Sequence, residues 1–170
     1  MEPVIIRTLK PADWPRVKEI YESGIATGIA TFETIAPTWN DWDSSHLPFS
    51  RLVSLCKETE KELVTGWAAL SPVSGRCVYG GVAEVSIYID PGYRGKGLGT
   101  KLLQNLIETS EENGIWTLQA GLFPENTASL KMHLQNGFRL IGKRERIGKL
   151  RNVWKDNLIL ERRSDRVGID

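Results

Sequence analysis

Ala83-Glu84-Val85-Ser86-Ile87-Tyr88-Ile89 runs without interruption into Asp90-Pro91-Gly92-Tyr93-Arg94-Gly95-Lys96-Gly97-Leu98-Gly99. The first segment, rich in β-branched and aromatic residues, predicts a strand. The second predicts a tight glycine-rich turn. From Leu98 onward, Leu102, Leu103, Leu106 and Ile107 fall on one helical face, and Gly114 supplies the stop. A strand, a turn with three alternate glycines and a helix therefore follow one another. Glycines let backbone N–H groups approach a ligand, and the helix start adds unpaired donors and the positive end of its dipole. Those are the properties of a pyrophosphate site. A Walker loop is excluded because Gly97 follows Gly95-Lys96 where Ser or Thr is required. A dinucleotide fingerprint is excluded too, since its third glycine falls one residue later and Gln119-Ala120-Gly121 stands where an acidic residue is needed.

Val4 to Thr8 reads as a strand, and Trp14, Val17, Ile20 and Tyr21 mark one face of a helix opened by Pro11-Ala12-Asp13. Residues 29–42 mix Thr, Pro, Asn and aromatics, which predicts loops around a short irregular helix and the lining of a pocket. Residues 51–56 and 63–70 form the arms of a hairpin with a charged turn at 57–62, and a Pro, Ser and Gly-rich link covers 71–81. Further strands are expected at 116–120 and 138–142 and at Val153-Trp154 with Leu158 to Leu160, with a helix from Asn126 to Gln135. No repeat or linker appears, so residues 1–163 are expected to form one domain, with 164–170 as a flexible tail.

The chain has 170 residues, 41% hydrophobic and 25% charged, enough to bury a core without disulfides or a structural metal. Its 22 basic and 21 acidic side chains leave a net charge of +1, which offers no global field for nucleic acid or an acidic membrane. The basic cluster Lys143, Arg144, Arg146, Lys149 and Arg151 is interrupted by Glu145 and lacks stacking aromatics until Trp154, so it reads as a solvated hairpin. His46 and His133 have no ligand-spaced partners and Cys56 and Cys77 form no Cys-x-x-Cys pair, so no metal is expected. No Gly-x-Ser-x-Gly elbow is present. With no membrane-length apolar run and no basic, apolar start, a cytoplasmic protein with reduced thiols is expected.

Arg94, Gly97 and Gly99 fill the pattern Arg-x-x-Gly-x-Gly, which resembles the acetyl-CoA pyrophosphate loop of the GCN5-related N-acetyltransferases. Asn126-Thr127-Ala128-Ser129, His133 and Asn136-Gly137-Phe138 look like the second half of that family's cofactor region, and the similarity covers residues 4–162. Ala30 to Thr34 and Ala83 to Ile89 are similar to the phosphinothricin and methionine-sulfoximine acetyltransferase group, although Val82-Ala83 stands where a Thr and a Val usually precede the glutamate. The resemblance implies a mixed α/β fold with a central, mostly antiparallel sheet, two splayed parallel strands and flanking helices. It also implies acetyl-CoA as donor, a small amino-acid-like amine as acceptor, and a homodimer for which Trp154 is a candidate contact. Another amine, or a non-catalytic acyl-CoA sensor, is the alternative.

Acetyl transfer needs a deprotonated amine, a polarised thioester carbonyl and a protonated leaving thiolate. Alternation alone makes Glu84 equally an exposed strand glutamate or a base. Among Val82, Ala83, Val85 and Ile87 it is expected to be partly desolvated, and the resemblance places the catalytic carboxylate there. The resemblance implies that Ser86, Ile87, Tyr88 and Ile89 offer backbone groups to the pantetheine arm, and that Arg94, Gly95, Lys96, Gly97, Leu98 and Gly99 hold the pyrophosphate. Asn126 and Ser129 would make polar contacts near the thioester, Asn126 serving equally as a helix cap. His133 is either a core histidine or the acid that protonates the leaving sulfur. Phe32, Glu33 and Thr34 are candidate acceptor contacts, with Tyr79 beside Arg76, whose guanidinium suits a carboxylate or phosphinate.

Overall fold

In the computed structural model, which describes residues 4–58 and 61–170, seven strands form one sheet in the order β1-β2-β3-β4-β5-β7-β6. They are β1 (Ile5–Thr8), β2 (Leu52–Glu58), β3 (Lys61–Pro72), β4 (Val82–Ile89), β5 (Thr117–Leu122), β6 (Arg139–Leu150) and β7 (Val153–Arg163). The first three residues, and residues 59–60 of the expected hairpin turn, lie outside the described residues. All neighbours are antiparallel except β4 and β5. This is the mixed α/β architecture expected, and β6 extends well past residue 142 to carry the basic residues along a long hairpin with β7.

Side chains alternate across a strand, and that divides the core into two layers. Ala68, Leu70, Ala83, Leu118, Ala120 and Leu160 face α3 (Leu98–Glu112), which buries Leu102, Leu103 and Leu106 against them. Val53, Leu55, Trp67 and Ala69 face the opposite way, against Val17 and Ile20 of α1 (Trp14–Ala26) and Trp42 of α2 (Trp39–Ser45). Burying side chains of this size contributes about 1.5–3 kcal/mol each before entropy is counted. The short helix expected near residue 42 is α2, started by Thr38, whose hydroxyl accepts from Asp41 N–H at 3.2 Å.

The segment expected to be a flexible tail is tied down. Ser164 N–H donates to Trp116 O at 2.8 Å, and Ser164 Oγ donates to Oε1 of the buried Glu111 at 2.8 Å. Glu111 also accepts from Arg162 at 2.9 Å and Arg166 at 3.3 Å. Burial pushes the Glu111 carboxyl up, but the Arg162 and Ser164 hydrogen bonds and the two positive charges outweigh it, so the net shift is downward. A carboxyl depressed in the folded state stabilises the fold above its unfolded value of 4.5 and loses that contribution as pH falls through the folded value. Glu111→Gln is therefore expected to lower stability at pH 7 by about 1.5–3 kcal/mol. The deficit should shrink in acid below pH ~4, which thermal melts of both proteins across pH will check.

Candidate active site

β4 and β5 are paired only from Val82 to Glu84, against Thr117 to Gln119. Beyond that point β4 stays with β3 through Ile89, while β5 stays with β7 through Leu122, so the sheet opens. Asp90 N–H donates to Thr65 O at 2.9 Å. Because backbone groups alternate sides along a strand, those of Ser86 and Tyr88 also face β3. The N–H and C=O groups of Val85, Ile87 and Ile89 consequently turn into the opening. Arg94 Nε donates to Ile89 O at 3.3 Å, tying the following loop to this edge.

The loop reaches α3 through two left-handed residues, Gly95 (φ 74°) and Gly97 (φ 77°), the latter the residue that starts the helix. A side chain strains such a backbone. Nothing lies within 4 Å of a Cβ placed on either glycine, so the cradle is open to a ligand and bounded by the first-turn N–H groups of α3. Lys96 Nζ bonds Gly92 O at 3.1 Å and sits 4.7 Å from the Tyr93 ring centre, while Leu98 is buried and anchors the turn. Exposed backbone donors at a helix start fit a pyrophosphate, and the free β4 edge fits an extended amide-bearing arm.

Between the strands lies a cavity of about 670 Å³. Glu84, half-buried, stands at the fork, where Gln119 Nε2 donates to its Oε2 at 3.1 Å and Ser71 is its cross-strand neighbour. Phe32 roofs the cavity, edge-on to Phe123 at 4.7 Å and packed over Gly148. Tyr21, Thr31, Glu33 and Tyr88 line the side nearest α1. Burial pushes the Tyr88 phenol upward, with Tyr21 and Glu33 adding to it, and burial followed by the Glu33 charge does the same to Tyr21; both remain neutral hydroxyls.

Asn126 caps α4 (Thr127–Gln135), its Oδ1 accepting from Ser129 N–H at 3.3 Å, and both residues line the cavity. His133, 3% exposed, donates from Nδ1 to Ser129 O at 2.8 Å and packs edge-on against Phe138 at 4.9 Å. Phe138 N–H bonds His133 O past Gly137 at φ 85°, so this bond and the ring contact close the helix end around a left-handed glycine. Burial depresses the imidazole pKa more than the Ser129 carbonyl raises it, leaving a neutral ring whose Nε2 has no hydrogen-bond partner.

The cavity thus gathers Glu84, the β4 residues Ser86 to Tyr88, Asn126, Ser129, His133, Phe32 and Glu33. Thr34, Arg76 and Tyr79 are not among its lining residues; Arg76 is exposed with its guanidinium 5.7 Å from the Tyr79 ring centre. Gln119, Ser71, Tyr21, Asp41, Arg144 and Asn157 line the cavity without having been anticipated. The signal for Gln119 was its place at the start of the strand parallel to β4; the signal for Arg144 and Asn157 was their position opposite each other in the last hairpin.

The acetyltransferase (GNAT) family model matches residues 14–138. The chain belongs to the GNAT acetyltransferase family. Phosphinothricin N-acetyltransferase of Alcaligenes faecalis is 30% identical over 161 residues, 92% of this chain and 81% of that one. The L-methionine sulfoximine/L-methionine sulfone acetyltransferase of Salmonella typhimurium is 28% identical over 172 residues, 94% of each chain. The crystal structure of a GNAT superfamily phosphinothricin acetyltransferase from Sinorhizobium meliloti, in complex with acetyl-CoA, has a TM-score of 0.87 at 26% identity and covers 98% of this chain and 91% of that one. This GNAT enzyme is an acetyl-CoA-dependent N-acetyltransferase. Among the described residues no group of three or more His, Cys, Asp and Glu could hold a metal ion, and no helix is long and apolar enough to cross a membrane.

Proposed function

We propose that this GNAT enzyme acetylates the amino group of a small amino-acid-like acceptor, such as phosphinothricin or methionine sulfoximine, with Glu84 as general base. The observation that carries this reading is the position of Glu84: a half-buried carboxylate at the fork of β4 and β5, on the sheet face roofed by Phe32 and lined by Glu33 and Tyr88. An acceptor ammonium entering from that face loses a proton to Glu84, directly or through one water, and its lone pair becomes available. Gln119 holds the carboxylate at one oxygen and leaves the other free to accept. The donor thioester lies along the open β4 edge, where the Ile87 N–H stabilises the oxyanion that forms on attack. Collapse expels the CoA thiolate, and the second amine proton compensates its charge.

His133 remains the side-chain candidate for delivering that proton, and its geometry constrains the role. With Nδ1–H committed to Ser129 O, the neutral ring presents Nε2 as an acceptor, so proton delivery requires prior protonation there against its depressed pKa. His133→Phe is accordingly expected to cost less in kcat than loss of Glu84; a larger loss would assign the acid to His133.

The test is CoA release from acetyl-CoA with a panel of amino acids, phosphinothricin, methionine sulfoximine, polyamines and peptides. Turnover confined to the amino-acid-like amines supports the reading. Turnover only with polyamines or peptides overturns the acceptor class, and acetyl-CoA binding without release for any amine overturns the enzymatic reading of this site.

A further inference from the structure

Among the described residues lining the cavity, Arg144 carries the one Lys or Arg side chain, and Glu33, Asp41 and Glu84 line the same cavity. Its neighbour Lys143 is engaged elsewhere, pairing with Glu145 at 3.5 Å and Asp156 at 3.6 Å, and Arg146, whose backbone N–H bonds Asp156 Oδ1 at 2.8 Å, is not among the lining residues. No hydrogen bond or ion pair engages the Arg144 guanidinium among the described residues. The residue directly across the hairpin, Asn157, also lines the cavity with its carboxamide likewise unengaged. Gly121 makes room for it, since a Cβ there would stand 3.3 Å from Asn157 Oδ1. Immediately after Arg144 the β6 register with β7 shifts, with Arg146 at φ 44°. Bulges beside active sites commonly re-aim a side chain.

We propose that Arg144 and Asn157 form the subsite for an acidic group at the end of the acceptor's side chain, a phosphinate or carboxylate. The inference rests on the amino-acid reading above and specifies which anion is recognised and where. A guanidinium offers paired donors in a plane, and an adjacent carboxamide adds another, which together match a two-oxygen anion. The sheet geometry selects the side-chain acid over the α-carboxylate. β6 is separated from β4 by β5 and β7, about 14 Å at the usual strand spacing. Asn157 lies four residues along β7 from Glu161, the partner of Gln119 beside Glu84, adding about 13 Å along the strands. Laid flat, the two Cα positions are about 20 Å apart, and extended side chains still leave several ångströms between their charged ends. An α-amine and α-carboxylate share a single carbon and cannot reach both. An acid two or more carbons further out can.

Phosphinothricin, whose side chain ends in an anionic phosphinate, and methionine sulfone, whose tetrahedral end group is neutral, separate the possibilities. Arg144→Gln is expected to lower the ratio of kcat/KM for phosphinothricin over methionine sulfone at least about tenfold, through KM, with Arg144→Lys recovering part of the loss. Acetyl-CoA affinity and the melting temperature serve as controls for the fold. An equal fall for both acceptors assigns Arg144 to the α-carboxylate or to structure and overturns the proposal, as does an unchanged ratio. If the wild-type enzyme releases CoA with no amino-acid-like amine, the amino-acid reading itself falls; if it acetylates neutral amino acids but not phosphinothricin, the acidic-group subsite falls and the amino-acid reading stands.

Discussion

Glu84→Gln is expected to lower kcat by about 10²–10⁴-fold while leaving acetyl-CoA affinity nearly intact. The two readouts separate because they draw on different groups. Cofactor binding is assigned to main-chain donors along β4 and to the turn before α3. Proton removal is assigned to one carboxylate on the opposite, acceptor-facing side of β4. Gln keeps the length of the side chain, and its carbonyl oxygen can still accept from Gln119 Nε2, which now bonds Glu84 at 3.1 Å. What the substitution removes is the capacity to take a proton. Steady-state kinetics with saturating acceptor, alongside calorimetric titration with acetyl-CoA, will check it. A variant that keeps its turnover but loses cofactor affinity would contradict the assignment.

Gly97→Val is expected to weaken acetyl-CoA binding at least about tenfold while the protein stays folded. Gly97 sits at φ 77°, and left-handed backbone costs an L residue roughly 1–2 kcal/mol, more for a β-branched side chain. The variant must relax the turn, and relaxation moves the start of α3, whose first-turn N–H groups are assigned to the pyrophosphate. Packing is not the source of the defect, because beyond its two chain neighbours no described residue comes within 4 Å of a Cβ at this position. The valine methyls would instead occupy space that the turn keeps clear. Circular dichroism should remain native, and titration with acetyl-CoA should show the loss. An unchanged affinity would remove the pyrophosphate from this loop.

Periodicity located most elements because each has one buried face. Leu98, Leu102, Leu103 and Leu106 mark α3 by spacing alone, and the same four are buried against the sheet. The last hairpin was harder to read. Lys143 to Arg151 carry little apolar alternation, since β6 is an edge strand with mostly exposed side chains; the basic residues read as a solvated hairpin, which β6 and β7 form, but the strand expected at 138–142 runs on to Leu150. The C-terminal segment was misread for a related reason. Ser164, Asp165, Arg166 and Gly168 have the composition of a frayed end, but the buried Glu111 on α3 bonds Ser164 and Arg166, Trp116 O accepts from Ser164 N–H, and Arg163 donates to Gly168 O.

Arg76 is a candidate anion contact from its place just before β4, and it lies outside the residues that line the cavity. Arg144 reaches the cavity because β7 inserts between β5 and β6, so the hairpin folds its basic strand back beside it. That placement depends on strand order and on a shift in register, neither of which leaves a local pattern.

By itself, the sequence determined the strand, glycine turn and helix from Ala83 to Glu112, the two apolar helix faces and the family resemblance carried by Arg94, Gly97 and Gly99. These are short-range properties: side-chain periodicity, positive-φ residues and helix capping act between neighbours. The tertiary structure alone decided where β4 and β5 part, which basic residue lines the cavity beside them and what holds residues 164–168 in place. Those outcomes depend on each strand keeping its antiparallel partner across long stretches of chain, and on side chains from β4, β5, β7 and β6 sharing one face of the sheet.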